Sequence, residues 1–192
     1  MNARITERFG SFERTMHVGV NLAWPGLRLA DGSYSHLYGT FLDVPWRHSD
    51  GNRYDLENPL VQNAIREDFI SARGTFGPKV QMRVFLFTTL SAGIEFDANG
   101  TPVKVTDKAV ASFRTLLRMA EEEQVLLIPV MFDFLMADGL GYPNAPDRPE
   151  LFTDPVKRAA LMRLVENFIR PFANHPAILL WDLINEPENA TA

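Results

Sequence analysis

Residues 177–185 read AILLWDLIN, and this stretch decides the fold class. It is a short and almost continuous apolar run, as is typical of a strand that is buried on both faces. Pro187 follows at once, and proline ends a strand because it has no backbone N–H to donate. The run therefore predicts a β-strand with Asn185 and Glu186 at its carboxyl end.

Three similar apolar runs precede this one, at residues 17–24, 80–87 and 125–134. Amphipathic stretches separate them, so the predicted order is β-α-β-α-β-α-β. Strands that are apolar on both faces and alternate with helices belong in a parallel sheet. Since the chain has no linker rich in Pro, Gly or Ser, residues 1–192 are predicted to form a single α/β domain.

Each predicted helix begins at a recognisable cap. Asn58 and Asp154 are each followed by a proline, and Thr106 precedes the second helix. Side-chain oxygens at such positions accept hydrogen bonds from the free N–H groups of the first turn. Gly74 predicts the end of the first helix. The predicted apolar stripes of the three helices are Val61, Ala64, Ile65, Phe69 and Ala72; Ala109, Val110, Phe113, Leu116, Leu117 and Ala120; and Val156, Ala160, Leu161, Leu164, Val165, Phe168 and Ile169.

The connections that follow the first three strands are long, at residues 25–57, 88–105 and 135–153, whereas the returns to the next strand are short. Long ordered connections tend to be functional. All three lie at the carboxyl ends of the strands, where parallel α/β folds and barrels place their active sites. The first connection is rich in aromatic rings, including Trp46, and flat rings suit the apolar faces of sugars.

Composition excludes several classes of function. The 192 residues are 46% hydrophobic and carry a net charge of −5, so the chain can bury a core but has no excess of basic residues for nucleic acid. It has no cysteine and no apolar run of the roughly 20 residues that span a membrane. Residues 1–16 contain no apolar signal segment, which leaves a cytoplasmic protein and a secreted one with its signal removed both open.

Several catalytic motifs are also absent from the sequence. It contains no G-x-S-x-G, no phosphate-binding G-x-x-x-x-G-K-[ST] and no G-x-G-x-x-G after a strand. The four histidines show no spacing typical of zinc ligands, so no metal site is predicted.

The segment Trp181-Asp-Leu-Ile-Asn-Glu-Pro187 resembles the Asn-Glu-Pro signature of glycoside hydrolase clan A, most closely the family 5 cellulases and mannanases. Residues 175–189 are similar to the fourth strand of that family, 19–24 to its first, and 81–87 to its second. The resemblance covers essentially the whole chain but only the N-terminal half of the family's barrel. It implies a parallel half-barrel, strands 1–4 of a TIM (β/α)8 barrel.

The resemblance also implies roles for individual residues. Glu186 would be the general acid/base, which needs a carboxyl group that partial burial keeps protonated near neutral pH. Asn185 would bind the 2-hydroxyl of the substrate. Arg83 would hold the nucleophilic carboxylate; alternatively, it forms an internal ion pair with Asp133 or Asp182. Such an enzyme uses neither a cofactor nor a metal.

Four further residues are candidates for the substrate site. Trp24 and Trp181 could form the floor of the sugar site or belong to the core, and the core is favoured for Trp181. Trp46 is a candidate from the ring-rich connection. Asp133 lies where the third strand of the family commonly ends in a histidine, so the resemblance assigns it no role.

A half-barrel is incomplete both chemically and physically. Retaining hydrolysis needs a second carboxylate about 5–5.5 Å from the first, and the family supplies it from the seventh strand. The barrel-facing side and both edges of a four-stranded sheet would also be exposed. Either the C-terminal half-barrel lies on another polypeptide, or two copies form a homodimer with eight strands.

The expected function is hydrolysis of O-glycosidic bonds in β-linked glucans or mannans by carboxylate acid/base catalysis. Two alternatives remain open from the sequence. One is a non-catalytic carbohydrate-binding or interaction half-barrel. The other is a metal-assisted hydrolase that uses Asp133, Asp182, Glu186 or Glu188 with an ion that prefers oxygen ligands. Both carbohydrate interpretations predict a sugar as the partner. Neither predicts binding to nucleic acid or to a membrane.

Overall fold

A computed structural model describes the backbone and side chains of residues 19–22, 56–87, 93–134 and 148–187, and the backbone of six short strands between residues 5 and 54. The strands of these parts, in chain order, are β1 Ile5–Phe9, β2 Phe12–Met16, β3 Gly19–Leu22, β4 Gly26–Arg28, β5 Tyr34–His36, β6 Trp46–Arg47, β7 Arg53–Tyr54, β8 Gln81–Phe87, β9 Ile94–Phe96, β10 Pro102–Val105, β11 Leu126–Asp133 and β12 Asp182–Asn185. The helices are α1 Pro59–Phe76, α2 Asp107–Glu122, α3 Glu150–Thr153 and α4 Pro155–Ile169, followed by the 3₁₀ turn Arg170–Phe172.

The central sheet has four parallel strands in the spatial order β12-β11-β8-β3. Each strand pairs with the one that precedes it in the β-α-β alternation, so every new strand is added on the same side. A doubly wound sheet would reverse its order at a switch point, whereas a (β/α)8 barrel keeps one direction. The predicted parallel half-barrel is therefore confirmed.

The helix caps agree with the sequence-based predictions. The Asn58 side chain accepts a hydrogen bond from Leu60 N, and the Thr106 side chain accepts one from Ala109 N. The Asp154 carboxylate accepts from the first free N–H groups of α4. These oxygens satisfy donors that have no partner inside the helix, and so they fix where each helix begins.

The predicted end of α1 was wrong. The helix continues through Gly74 to Phe76 and ends at Gly77, whose φ of 91° needs a residue without a Cβ. Gly77 N donates to Arg73 O over 2.8 Å and so closes the last turn. A glycine inside a helix is tolerated at a modest cost, and Gly74 occupies open space with nothing within 4 Å of an added Cβ.

The predicted stripes form the buried side of the helices with three exceptions. Val156 was assigned to the stripe wrongly, since it is 70% exposed in the first turn of α4. Val110 and Ile169 are only partly buried, but they still pack against the core. At the centre of this core Phe113 contacts Phe168 and Phe172, with ring centroids 5.3 and 5.0 Å apart.

The fourth strand is shorter than predicted because its pairing with β11 slips by one residue. Ile178 forms an isolated bridge with Leu127, whereas Asp182 pairs with Val130. The intervening segment thus contains one extra residue, as in a β-bulge, and a bulge changes the direction of the following side chains. Regular pairing resumes only at Asp182, although the apolar run begins at residue 177.

The long connections contain structure of their own. Two antiparallel pairs, β4–β5 and β6–β7, lie in the first connection, β9–β10 lies in the second, and α3 lies in the third. An antiparallel pair, β1–β2, precedes the sheet and was not predicted. In the described part of the chain, no helix is both long and apolar enough to cross a membrane.

Replacing Asp154 by alanine tests whether the cap fixes α4. The variant removes the acceptor for the Val156 and Lys157 N–H groups, so we expect a loss of about 1 kcal/mol in the free energy of unfolding. Arg163→Ala, on the exposed side of the same helix, is the control and should change it by less than about 0.5 kcal/mol. Urea unfolding of the three proteins measures both values, and equal midpoints would contradict the role of the cap.

Candidate active site

A polar network joins three neighbouring strands of the parallel sheet. It consists of Arg83 on β8, Asp133 at the end of β11, and Asp182 and Asn185 on β12. Asp133 and Asn185 are partners in the register of β11 and β12, so the parallel pairing itself brings them side by side. Two of the four residues therefore lie at the carboxyl edge of the sheet, as the sequence predicted for the site.

Arg83 reaches across β11 to contact β12. Its Nε and Nη2 donate to Asp182 Oδ2 over 3.0 and 2.6 Å, and its Nη1 donates to Asn185 Oδ1 over 2.9 Å. The guanidinium also lies 5.0 Å from the centroid of the Phe85 ring. Of the interpretations considered for Arg83, the structure thus contains the internal ion pair with Asp182.

The strand register explains why this ion pair spans two strands. Arg83 pairs with Ile128 and Asp182 pairs with Val130, so all four side chains are on the same face of the sheet. Two strands that are separated by a third lie about 9–10 Å apart, and the long arginine side chain can span this distance. Each charged partner retains about 29% of its side-chain exposure.

Asn185 links the ion pair to the buried Asp133. Its Nδ2 donates to Asp133 Oδ2 over 3.0 Å, while its Oδ1 accepts from Arg83. Asp133 is only 1% exposed, and a buried carboxylate is costly unless it accepts hydrogen bonds. The network thus satisfies polar groups that the strand positions force into the interior.

Glu186 follows β12 directly and is exposed, so the burial expected for an acid/base group is not observed. Its backbone is left-handed, with φ of 49°, which is uncommon for a residue with a Cβ. Lys79 and Gln124 share this conformation at the turns that lead into β8 and β11. The conformation at Glu186 therefore marks a sharp turn at the end of the strand and is not in itself a sign of catalysis.

The structure describes the side chain of only one of the three tryptophan candidates, Trp181. Trp181 packs against Phe113 and Phe168, with ring centroids 5.7 and 6.4 Å apart, and these contacts are those of a core residue. Trp46 pairs with Tyr54 in the β6–β7 register, which brings two ring residues of the first connection together along the backbone. Trp24 lies outside the described residues.

Asp182 is the member of the network that was not a candidate for catalysis or substrate binding in a glycosidase. It entered the sequence analysis as an alternative partner of Arg83 and as a possible ligand in the metal-assisted alternative. A signal was nevertheless present, because Arg83 and Asp182 are opposite charges in two apolar strands, and such residues require partners when buried. What the sequence lacked was the register that distinguishes Asp182 from Asp133.

The Arg83–Asp182 pair should contribute more to stability than an exposed pair of the same length. Arg170 and Glu166 also approach to 2.6 Å, but their side chains are 69% and 67% exposed. Asp182→Ala should lower the free energy of unfolding by about 1–2 kcal/mol, since it leaves a partly buried guanidinium with one partner fewer. Glu166→Ala should lower it by less than about 0.5 kcal/mol. Urea unfolding compares the variants, and equal losses would contradict this ranking.

A scan against models of known protein families finds no match, and a search of curated protein sequences finds none either. The similarity is found among solved structures. The endo-1,4-β-mannanase of Eisenia fetida matches 96% of this chain at 15% identity with a TM-score of 0.64. The β-1,4-D-mannanase of Cryptopygus antarcticus matches 86% at 18% identity and a TM-score of 0.57, and the β-mannanase of Mytilus edulis matches 89% at 19% identity and a TM-score of 0.55.

The matches cover only 44–47% of those three mannanase chains, so this chain spans less than half of their length. At identities of 15–19%, the similarity to these mannanases shows a shared fold and nothing more. The resemblance to a family 5-like half-barrel, which the sequence motifs indicated, is thus supported by the path of the chain. The chain has the fold of about half of a β-mannanase.

Proposed function

We propose that this chain carries half of the active site of a glycoside hydrolase that cleaves β-linked polysaccharides of the mannan or glucan type. The observation that carries this proposal is the Arg83–Asn185 hydrogen bond, which joins two residues of the family resemblance in a sheet with the mannanase fold and has Asn185 at the carboxyl edge of that sheet. Glu186 follows Asn185 directly and is the proposed general acid/base.

In this proposal Glu186 acts twice on one glycosidic bond. The bond between the anomeric carbon and the leaving oxygen breaks as Glu186 gives that oxygen its proton, and the second carboxylate attacks the carbon. Glu186 then takes a proton from water, whose oxygen displaces that carboxylate. The exposure of Glu186 supports this role, because a polysaccharide can approach its carboxyl group.

The second carboxylate is proposed to bind Arg83. The guanidinium has five N–H donors, and its contacts with Asp182 and Asn185 use three of them. Within the described residues two donors therefore remain, and they are proposed to bind a carboxylate from the part of a barrel that faces this sheet. Trp24, at the end of the first predicted strand, and Trp46, in the first connection, are proposed to contact the sugar.

The Glu186→Gln substitution tests the proposed chemistry. An amide cannot protonate the leaving oxygen, so release of reducing sugar from β-1,4-mannan or β-1,4-glucan should fall by about 10²–10⁴-fold. Glu166→Gln, an exposed glutamate on α4, is the control and should leave the rate unchanged. Equal rates for wild type and Glu186→Gln would contradict the proposal. Binding of mannan without turnover in the wild type would indicate a carbohydrate-binding module instead.

We further propose that a second copy of the chain completes the barrel. β12 lies at one edge of the described sheet and β3 at the other, so two copies related by two-fold symmetry could pair β12 of each with β3 of its partner. Leu183 on β12 is exposed, as are Leu179 and Leu180, which precede the strand. An edge strand that exposes apolar side chains is prone to pair with another strand.

The solution mass from light scattering coupled to size exclusion tests the dimer. We expect about twice the 21.7 kDa of the chain. Leu183→Lys should shift the mass to that of a monomer, because it places a charge at the new contact. Leu60→Lys, on α1 and of similar exposure (51% against 53%), should leave a dimer. A monomeric wild type would exclude self-association and favour a separate polypeptide that carries the C-terminal half-barrel.

A further inference from the structure

We propose that Asp133 is a positioning residue that holds the side-chain amide of Asn185 in one of its two orientations. The orientation of the Asn185 amide is inferred from the geometry of the network alone. What this orientation means for substrate binding rests on the proposed function. The sequence resemblance assigned no role to Asp133, which stands where a histidine is common.

The amide of Asn185 lies between two groups of opposite character. Asp133 Oδ2 lies 3.0 Å from the amide nitrogen, and Arg83 Nη1 lies 2.9 Å from the amide oxygen. A guanidinium can only donate hydrogen bonds, and a carboxylate can only accept them. Each end of the amide therefore faces the partner that it requires.

The opposite orientation of the amide would be unfavourable at both ends. Rotation by half a turn would bring the amide N–H groups against the guanidinium and the amide oxygen against the Asp133 carboxylate. Two donors would then face each other, as would two acceptors, and each charged group would lose a hydrogen bond. With both neighbours present, only one orientation of Asn185 is compatible with the network.

Asp133 is well placed for this role because it is itself fixed. Its side chain is 1% exposed, and the β11–β12 register sets its backbone opposite that of Asn185. A carboxylate held in a packed strand end loses little entropy when it binds a neighbour, which is the requirement for a positioning group. Arg83 restrains the other end of the amide but is shared with Asp182.

The oriented amide keeps limited capacity for a ligand. One of its two N–H groups donates to Asp133, and one of the two lone pairs on its oxygen accepts from Arg83. One N–H and one lone pair remain on a side chain that is partly exposed. A hydroxyl group, which both donates and accepts, matches this pair, so a hydroxyl-rich ligand such as a sugar is the class that it would take.

Hydrogen exchange of side-chain amides, followed by NMR, tests the proposal without any substrate. In the wild-type chain the bonded Nδ2 proton of Asn185 should exchange about tenfold or more slowly than the side-chain protons of Asn174, which is exposed. Asp133→Leu has a similar shape but no acceptor, so the protection should disappear. Asp133→Asn keeps an acceptor oxygen, so this variant should retain most of the protection of the Asn185 proton against exchange.

The comparison of Asn185 with Asn174 in the wild-type chain tests the role of Asp133 even if Asp133→Leu does not fold. Exchange of Asn185 at the rate of Asn174 would overturn the proposal, as would full protection in a folded Asp133→Leu protein. A titration with β-1,4-mannotetraose forms a separate arm, in which Asp133→Leu should bind about tenfold more weakly than Asp133→Asn. If the wild-type chain binds no mannotetraose, the proposed function fails, while the exchange rates still decide the role of Asp133.

Discussion

The reach of Arg83 from β8 to β12 is the interaction on which the rest of the site depends. A charge placed in an apolar strand requires an opposite charge nearby, and the register places Asp182 on the same face two strands away. The same guanidinium then fixes Asn185, and Asn185 in turn binds Asp133. Arg83 thus links side chains on three neighbouring strands, and Phe85 and Val130 form a small apolar cluster beside it.

Local signals in the sequence predicted most of the α/β framework. The caps at Asn58, Thr106 and Asp154 lie where the sequence placed them, because a cap depends only on the residues of one helical turn. The alternation of strands and helices, and hence a parallel sheet, also followed from local patterns, whereas the half-barrel strand order came from the family resemblance. At the candidate site the family resemblance singled out Arg83 and Asn185, which prove to be in contact.

The features that escaped prediction depend on groups that are distant in the sequence. Gly74 and Gly77 are equivalent as local stop signals, and only the last turn of the folded helix selects Gly77. The slip before Asp182 arises from pairing with β11, so the apolar run alone could not show it. The choice between Asp133 and Asp182 as the partner of Arg83 likewise depends on register. Sequence patterns specify elements, whereas pairing between strands specifies the site.

The open edge of the sheet and the candidate site lie on the same strand. β12 carries Asp182 and Asn185, which both contact Arg83, pairs with β11 along one edge of the described sheet, and leaves Leu183 exposed. A strand added at the free edge would cover this apolar surface, and it would also bring new side chains to the face where Arg83 has donors to spare. Because one event would complete both the sheet and the set of charges, the proposed function would couple catalysis to assembly. On this proposal, an isolated half-barrel would contain the oriented network of Arg83, Asp133, Asp182 and Asn185 but would lack the second carboxylate.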